Sequence, residues 1–247
     1  MKAMIFAAGL GTRLKPITDS IPKALVPIAG KTLLEHIILK LKKEGFDDII
    51  INIHHFGEQI IDFLKTNNNF GISITISDER EMLLETGGGI KKAEWFFQDE
   101  PFLIHNVDIL SNTNLRDIYN FHIQANAAAT LLVSQRETSR YLLFDENSNL
   151  KAWMNKQTKE VKTPFKNISL ETLSPLAFSG IHVFSPKLFP YMDSFGDKFS
   201  VIDFYLSVCE YSTIKAFIPL NLKMIDVGKL NSLQDAEDLI KGTHICV

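Results

Sequence analysis

The chain has 247 residues, 45% of them apolar and 22% charged, with a formal net charge of −3. This length favours one large α/β unit with a sizeable core, and the slightly acidic balance argues against nucleic acid as the main partner, which needs a basic surface. No apolar run approaches the ~20 residues of a membrane span, Met4-Ile5-Phe6-Ala7-Ala8 is too short for a secretion signal, and Cys209 and Cys246 have no motif spacing, so a reducing, cytoplasmic setting without membrane contact is expected.

In chain order, Ala3 to Ala7 reads as a buried strand that runs into glycines. Leu33, Leu34, Ile37, Ile38 and Leu41 share one helical face, with a capping-box pattern at Thr32 and Glu35 and a stop at Gly45. Ile49 to Ile53 is a buried strand, Gly57 to Leu64 a short helix, and Ile72, Ile74 and Ile76 alternate as a strand. Lys91 to Phe97 reads helical, Phe102 to His105 as a strand, Leu115 to Ala125 as a helix and Thr130 to Val133 as a strand. Such alternation implies βαβ units.

The pattern changes between Ser134 and Ser174, where short strands and polar turns suggest a small inserted α+β lobe. Ala177 to Phe184 returns to a buried strand; Pro186 to Met192 and Val201 to Cys209 look helical; Ile214 to Ile218 and Leu222 to Ile225 look like strands; Leu230 to Ile240 closes as a helix. The expectation is a Rossmann-like three-layer α/β sandwich with a mixed, mostly parallel sheet. It forms one domain, with a first half at 1–133 and a second half at 134–247. No fixed-period repeat is visible, so no appended β-helical array is expected.

The richest signal is Ala7-Ala8-Gly9-Leu10-Gly11-Thr12-Arg13-Leu14, directly after the first strand. Open α/β sheets bind ligands at that edge, and glycine lets backbone N–H groups approach phosphate oxygens. A dinucleotide fingerprint fails, because Leu14 stands where a third small residue is needed and Pro16, Pro22 and Pro27 forbid the helix that should follow. A Walker A reading of Gly30-Lys31-Thr32 fails at Leu25. Gly9 to Pro27 is therefore a long, partly rigid loop. Its Arg13 and Lys23 are placed to neutralise a triphosphate, while Lys15 reads as a surface charge.

The Ala-Ala-Gly-x-Gly-Thr-Arg-Leu run followed by Pro22-Lys23 resembles the signature of the sugar-phosphate nucleotidyltransferase family. The resemblance implies that 1–133 is the nucleotide-binding half and 134–247 the sugar-binding half, that Arg13 and Lys23 contact phosphates and that Ala7, Ala8, Gly9, Gly11 and Thr12 line the nucleotide. Glu85-Thr86-Gly87-Gly88-Gly89 is similar to N-acetylmuramate 1-phosphate uridylyltransferases and to some mannose-1-phosphate guanylyltransferase-like proteins, in which this region, here Glu85, Gly87 and Gly88, contacts base and ribose. Asp108, just past a strand, and Asp226, in a late Asp-x-Gly element, match the two carboxylates that hold Mg²⁺, which typically takes one or two carboxylates plus substrate phosphates.

The chain has Val107 where the family usually has Gly, Met224 where it often has Trp, and no Glu-Lys-Pro sugar-binding triplet. Asn155-Lys156 stands near the triplet's place, and Phe178-Ser179-Gly180-Ile181 matches an element near the sugar, so Asn155 and Gly180 are the expected sugar contacts. Adjacent His54 and His55 point to opposite sides of a strand end, so one ion is not expected on both. The implied partners are a nucleoside triphosphate, UTP before GTP, and a sugar 1-phosphate, N-acetylmuramate-like before mannose. A nucleotide-sugar sensor on the same fold is the alternative class.

Overall fold

The computed structural model describes residues 1–243; Cys246 lies outside the described residues. Cys209 is a buried thiol, which burial pushes up to about 11. In chain order, β1 (Lys2–Phe6), β2 (Pro27–Ile28) and β3 (Lys31–Thr32) lead into α1 (Leu33–Lys43). Next come β4 (Asp48–Ile53), α2 (Gly57–Thr66), β5 (Ser73–Asp78), α3 (Glu85–Lys92), β6 (Phe102–Asn106), β7 (Ile109–Ser111) and α4 (Leu115–Gln124). They are followed by β8 (Ala129–Ser134), β9 (Arg140–Phe144), β10 (Leu150–Asn155), β11 (Val161–Lys162) and β12 (Ser174–Phe184). The chain continues through α5 (Phe189–Met192), α6 (Val201–Val208), β13 (Ile214–Phe217), β14 (Met224–Asp226) and α7 (Ser232–Thr243). It divides into two compact units. The first holds Met1–Leu83, Phe102–Leu115 and the segment from Asn221 onward; the second holds Leu84–Pro101 and Arg116–Leu220.

In the first unit β6, β1, β4 and β5 lie side by side in that order, all parallel. Ile49, Ile50, Ile51 and Ile53 of β4 are fully buried, as expected of a strand covered on both faces. The buried stripe of α1 is the one its spacing implies. Thr32 Oγ1 accepts from Glu35 N at 3.1 Å, and Gly45, at φ +85°, ends the helix with Phe46 N donating to Leu41 O. Truncating Leu41 to Ala would cost about 2–5 kcal/mol. The chain fills β1, β4 and β5 before returning to β6 on the other side of β1. The carboxyl ends of β1 and β6 therefore form a topological switch point, where α/β sheets bind ligands. Beyond β6, β7 pairs antiparallel with β14, setting Asp226 opposite Ile109.

The second unit is built largely from antiparallel pairs. β10 joins β9 and β11, β12 joins β9 and β8, and β13 runs parallel to β8. The α/β class with a mixed sheet is thus as expected, and the stretch 134–174 contains the short strands its turns implied. The short strands β2, β3 and β7 stand outside the expected elements, and one helix is shifted. The helix expected at Lys91–Phe97 is α3, which begins at Glu85 and takes Gly87, Gly88 and Gly89 into its interior. Glycine disfavours a helix by ~1 kcal/mol per residue. Packing overrides that propensity, because all three glycines are buried.

Candidate active site

The glycine loop leaves β1 under the control of one buried side chain. Asn52, at the end of β4 and in register with Phe6, accepts from Ala7 N at 2.7 Å and Ala8 N at 3.3 Å through Oδ1. Its Nδ2 donates to Oε1 of the fully buried Glu79 at 2.8 Å, and His54 Nδ1 lies 2.6 Å from the Glu79 carbonyl oxygen. Asn52 was not expected as a site residue, although a lone polar side chain in the run Ile49-Ile50-Ile51-Asn52-Ile53 was visible as a signal. With Ala7 and Ala8 tied down, the N–H groups of Gly9, Leu10 and Gly11 have no protein acceptor among the described residues.

Gly11 adopts φ +64°, and a Cβ there would meet Lys23 Cβ and Thr18 Cγ2 at 3.0 Å. Its carbonyl accepts from Leu14 N and from Thr18 Oγ1, both at 2.9 Å. Gly9 is exposed and has nothing within 4 Å of a Cβ position. The loop proceeds through short 3₁₀ turns at Thr12–Leu14, Ile17–Asp19 and Lys23–Leu25, with no α-helix, as its prolines required. Exposed Lys15 pairs with Asp19 at 2.9 Å, which places it at the surface.

The loop delivers its other cations to the two carboxylates. Lys23, 8% exposed, forms an ion pair with Asp108 Oδ2 at the end of β6. Val107 N donates to Phe6 O at 3.1 Å, so the Asp108 turn is held directly against the exit of β1. Asp108 O accepts from Val227 N at 2.8 Å, and the β7–β14 pairing brings Asp226 alongside. Around Gly228 a Cβ would stand 2.6 Å from Asp226 Oδ1 and 2.7 Å from Arg13 Nη2. The missing side chain is therefore the space those two groups share.

Arg13, Lys23, Asp108 and Asp226 are thus brought together at the switch point. A carboxylate offers about four lone-pair directions, of which Lys23 takes one on Asp108. Asp108, one residue before β7, and Asp226 of β14, in register with Ile109, offer the carboxylate oxygens that a divalent cation takes when substrate phosphate completes its shell. His105, one strand position before the turn, is fully buried; burial lowers its pKa to about 4, so it stays neutral there.

The remaining expected residues belong to the second unit. Glu85 is exposed and held at φ +61°, an uncommon conformation for a non-glycine residue. Gly87 N and Gly88 N both donate to Phe199 O, at 2.8 and 3.3 Å, and Val201 N donates to Thr86 Oγ1 at 3.0 Å. A Cβ on Gly87 would meet the Phe199 ring at 2.3 Å, and one on Gly88 would meet Asp197 O at 2.0 Å. What approaches these glycines closely is the protein's own loop. Gly180, at φ +71°, marks the irregularity where β12 shifts register against β8 between Phe178 and His182. Asn155 Oδ1 accepts from Gln157 N at 3.0 Å and Thr158 N at 3.3 Å, which shapes the turn after β10 and leaves Nδ2 as the donor it can offer a ligand.

The family model described as nucleotidyl transferase matches residues 2–242. The UTP–glucose-1-phosphate uridylyltransferase of Synechocystis sp. is 30% identical over 246 residues, covering 93% of this chain and 61% of that protein. The N-acetylmuramate alpha-1-phosphate uridylyltransferase of Neisseria meningitidis is 44% identical over 112 residues, 45% of this chain and 48% of that protein. The chain thus spans about half to three-fifths of the length of these curated relatives. The crystal structure of HddC from Yersinia pseudotuberculosis complexed with GMP-PN shares the fold, with a TM-score of 0.75 at 24% identity over 96% of this chain and 98% of that one.

Proposed function

The chain belongs to the nucleotidyl transferase family, and we propose that it transfers a nucleoside monophosphate from UTP to a sugar 1-phosphate, an N-acetylmuramate-like one, releasing pyrophosphate. The observation that carries this reading is the convergence of Arg13, Lys23, Asp108 and Asp226 on the loop whose N–H groups at Gly9, Leu10 and Gly11 are unclaimed. Two relatives whose names specify uridylyl transfer support UTP as donor.

The chemistry asks the protein for position and charge rather than for a general base. A sugar phosphate has a second pKa near ~6 and is mostly a dianion at neutral pH. Its oxygen forms a bond to the α-phosphorus while the bond from that phosphorus to the bridging oxygen breaks, and pyrophosphate leaves with the electron pair. The loop N–H groups and Arg13 hold the departing phosphates, and Lys23, fixed by Asp108, meets the charge that gathers at the α-phosphorus. Asp108 and Asp226 would hold Mg²⁺, whose bound charge lowers the repulsion between the two phosphates. Gly180 and Asn155 are proposed as sugar contacts, and Glu85, Gly87 and Gly88 as the base-side segment.

A panel of UTP, GTP, CTP and dTTP with sugar 1-phosphates and Mg²⁺, read by pyrophosphate release, tests this. The expected result is turnover with UTP at least about 10-fold above the other nucleotides, a difference of ~1.4 kcal/mol. Nucleotide-sugar binding without pyrophosphate release would favour the sensor reading instead.

A further inference from the structure

The second unit contains a cavity of about 540 Å³, large enough for a substituted sugar. Trp153 and Asn155 line it from β10. Arg140 of β9 stands opposite Asn155 in register and Leu142 opposite Trp153, so these side chains share one face of the sheet. Lys162, also on the wall, is fully engaged: it pairs with Asp203 at 3.0 Å and lies 5.2 Å over the Trp153 ring.

The two arginines of the cavity are not so engaged. Arg136 Nη2 donates to Phe178 O at 3.0 Å, which fixes the guanidinium on the wall and leaves its other N–H groups. Arg140 makes no side-chain hydrogen bond or ion pair among the described residues. The turn that carries it is pinned, because Thr138 N donates to Tyr141 Oη at 3.1 Å and Arg140 N to Thr138 Oγ1 at 3.3 Å. Arg136 and Arg140 are both exposed, as is Arg80 of the first unit, but Arg80 is paired with both Asp78 and Glu58.

A guanidinium presents a rigid fork that matches a planar anion, and two such forks at one sugar-sized cavity constitute a reader of negative charge. With Glu160 and Asp203 also on the wall, three cations face two carboxylates there, a surplus of one charge that suits a monoanion better than a dianionic phosphate. We infer that Arg136 and Arg140 select an acceptor sugar carrying a carboxylate in addition to its 1-phosphate. This rests on the nucleotidyl-transfer reading for its meaning but not for its test.

Three hexosamine 1-phosphates make the test: one with an ether-linked carboxylate, one without it, and one with a 6-phosphate in its place. Calorimetric affinities and, separately, kcat/KM with UTP and Mg²⁺ are measured for the native protein, Arg136→Gln and Arg140→Gln. The carboxylated ligand is expected to bind the native protein about 10- to 100-fold more tightly than the neutral one, and each variant to lower that ratio about 10-fold or more. Native preference for the neutral or bisphosphorylated ligand, or an equal fall for all three ligands in the variants, would overturn the inference; in the latter case the arginines read the shared 1-phosphate. Selective binding without turnover upholds the inference and removes the proposed reaction alone.

Discussion

The two units each carry a glycine-rich segment, and the two segments use glycine for opposite reasons. In the second unit, Gly87 and Gly88 are filled in from outside by Asp197 and Phe199, and their N–H groups are already bonded to Phe199 O. In the first, no other described residue comes within 4 Å of a Cβ position on Gly9, and the N–H groups from Gly9 to Gly11 meet no acceptor among the described residues. A run of glycines therefore marks close approach without saying by whom. Packing decides whether that approach is part of the fold or part of ligand binding.

Substitutions break this contrast in order of size. Gly88→Ala forces a Cβ to within 2.0 Å of a backbone carbonyl oxygen, which cannot swing away like a side-chain tip. It should destabilise the protein by about 3 kcal/mol or more, read as a fall in Tm, with any loss of activity explained by unfolding.

Acidification reaches both units at once. Burial lowers His105 in the first and His122 in the second to about 4, and His122 is further locked between Thr130 Oγ1 and Ser185 Oγ. The unfolded state takes up protons first, so the stability each contributes is intact above pH ~6.5 and is lost as the pH falls towards 4. About 2 kcal/mol per histidine has gone by pH 5. Thermal melts from pH 7.5 to 5 should show Tm falling through that window, and a flat profile would remove this assignment.

Asn52→Ala removes the acceptor of the Ala7 and Ala8 N–H groups and one donor to buried Glu79, at a cost of about 1–3 kcal/mol in stability. Unlike Gly88→Ala, it should raise the KM for UTP well below the melting temperature, because the loop loses its anchor. Gly11→Ala sets a side chain at φ +64° against Lys23 and Thr18, costing about 1–2 kcal/mol, again with weakened nucleotide binding. Gly9→Ala is the sharpest contrast with Gly88→Ala. Its stability should stay within the few tenths of a kcal/mol typical of open surface positions, leaving Tm nearly unchanged, while kcat/KM falls about 10-fold or more. An unchanged kcat/KM would mean that no ligand approaches there.

The parts of the site that were legible in sequence are those whose cause is local. Glycines, three prolines and three cations lie within one loop, and their joint meaning needs no tertiary information. Asp108 and Asp226 could be named as strand-end carboxylates, but their meeting depends on the β7–β14 pairing, and β7 was not expected as a strand. Asn52 was visible as a polar interruption, yet its task follows from the β1–β4 register. α3 was misplaced because local propensity counts three glycines against a helix, whereas the Phe199 loop demands them inside one. Arg136 and Arg140 carried no motif at all; only the fold sets them on one cavity.

In the proposed reaction the carboxylate opposite Ile109, which shares the Gly228 space with Arg13, serves nucleotidyl transfer. Asp226→Asn keeps the shape and removes the charge. With UTP, sugar 1-phosphate and Mg²⁺, pyrophosphate release by this variant should fall at least about 1,000-fold in kcat/KM while Tm shifts by no more than a degree or two. Release within about 10-fold of the native rate would contradict the account.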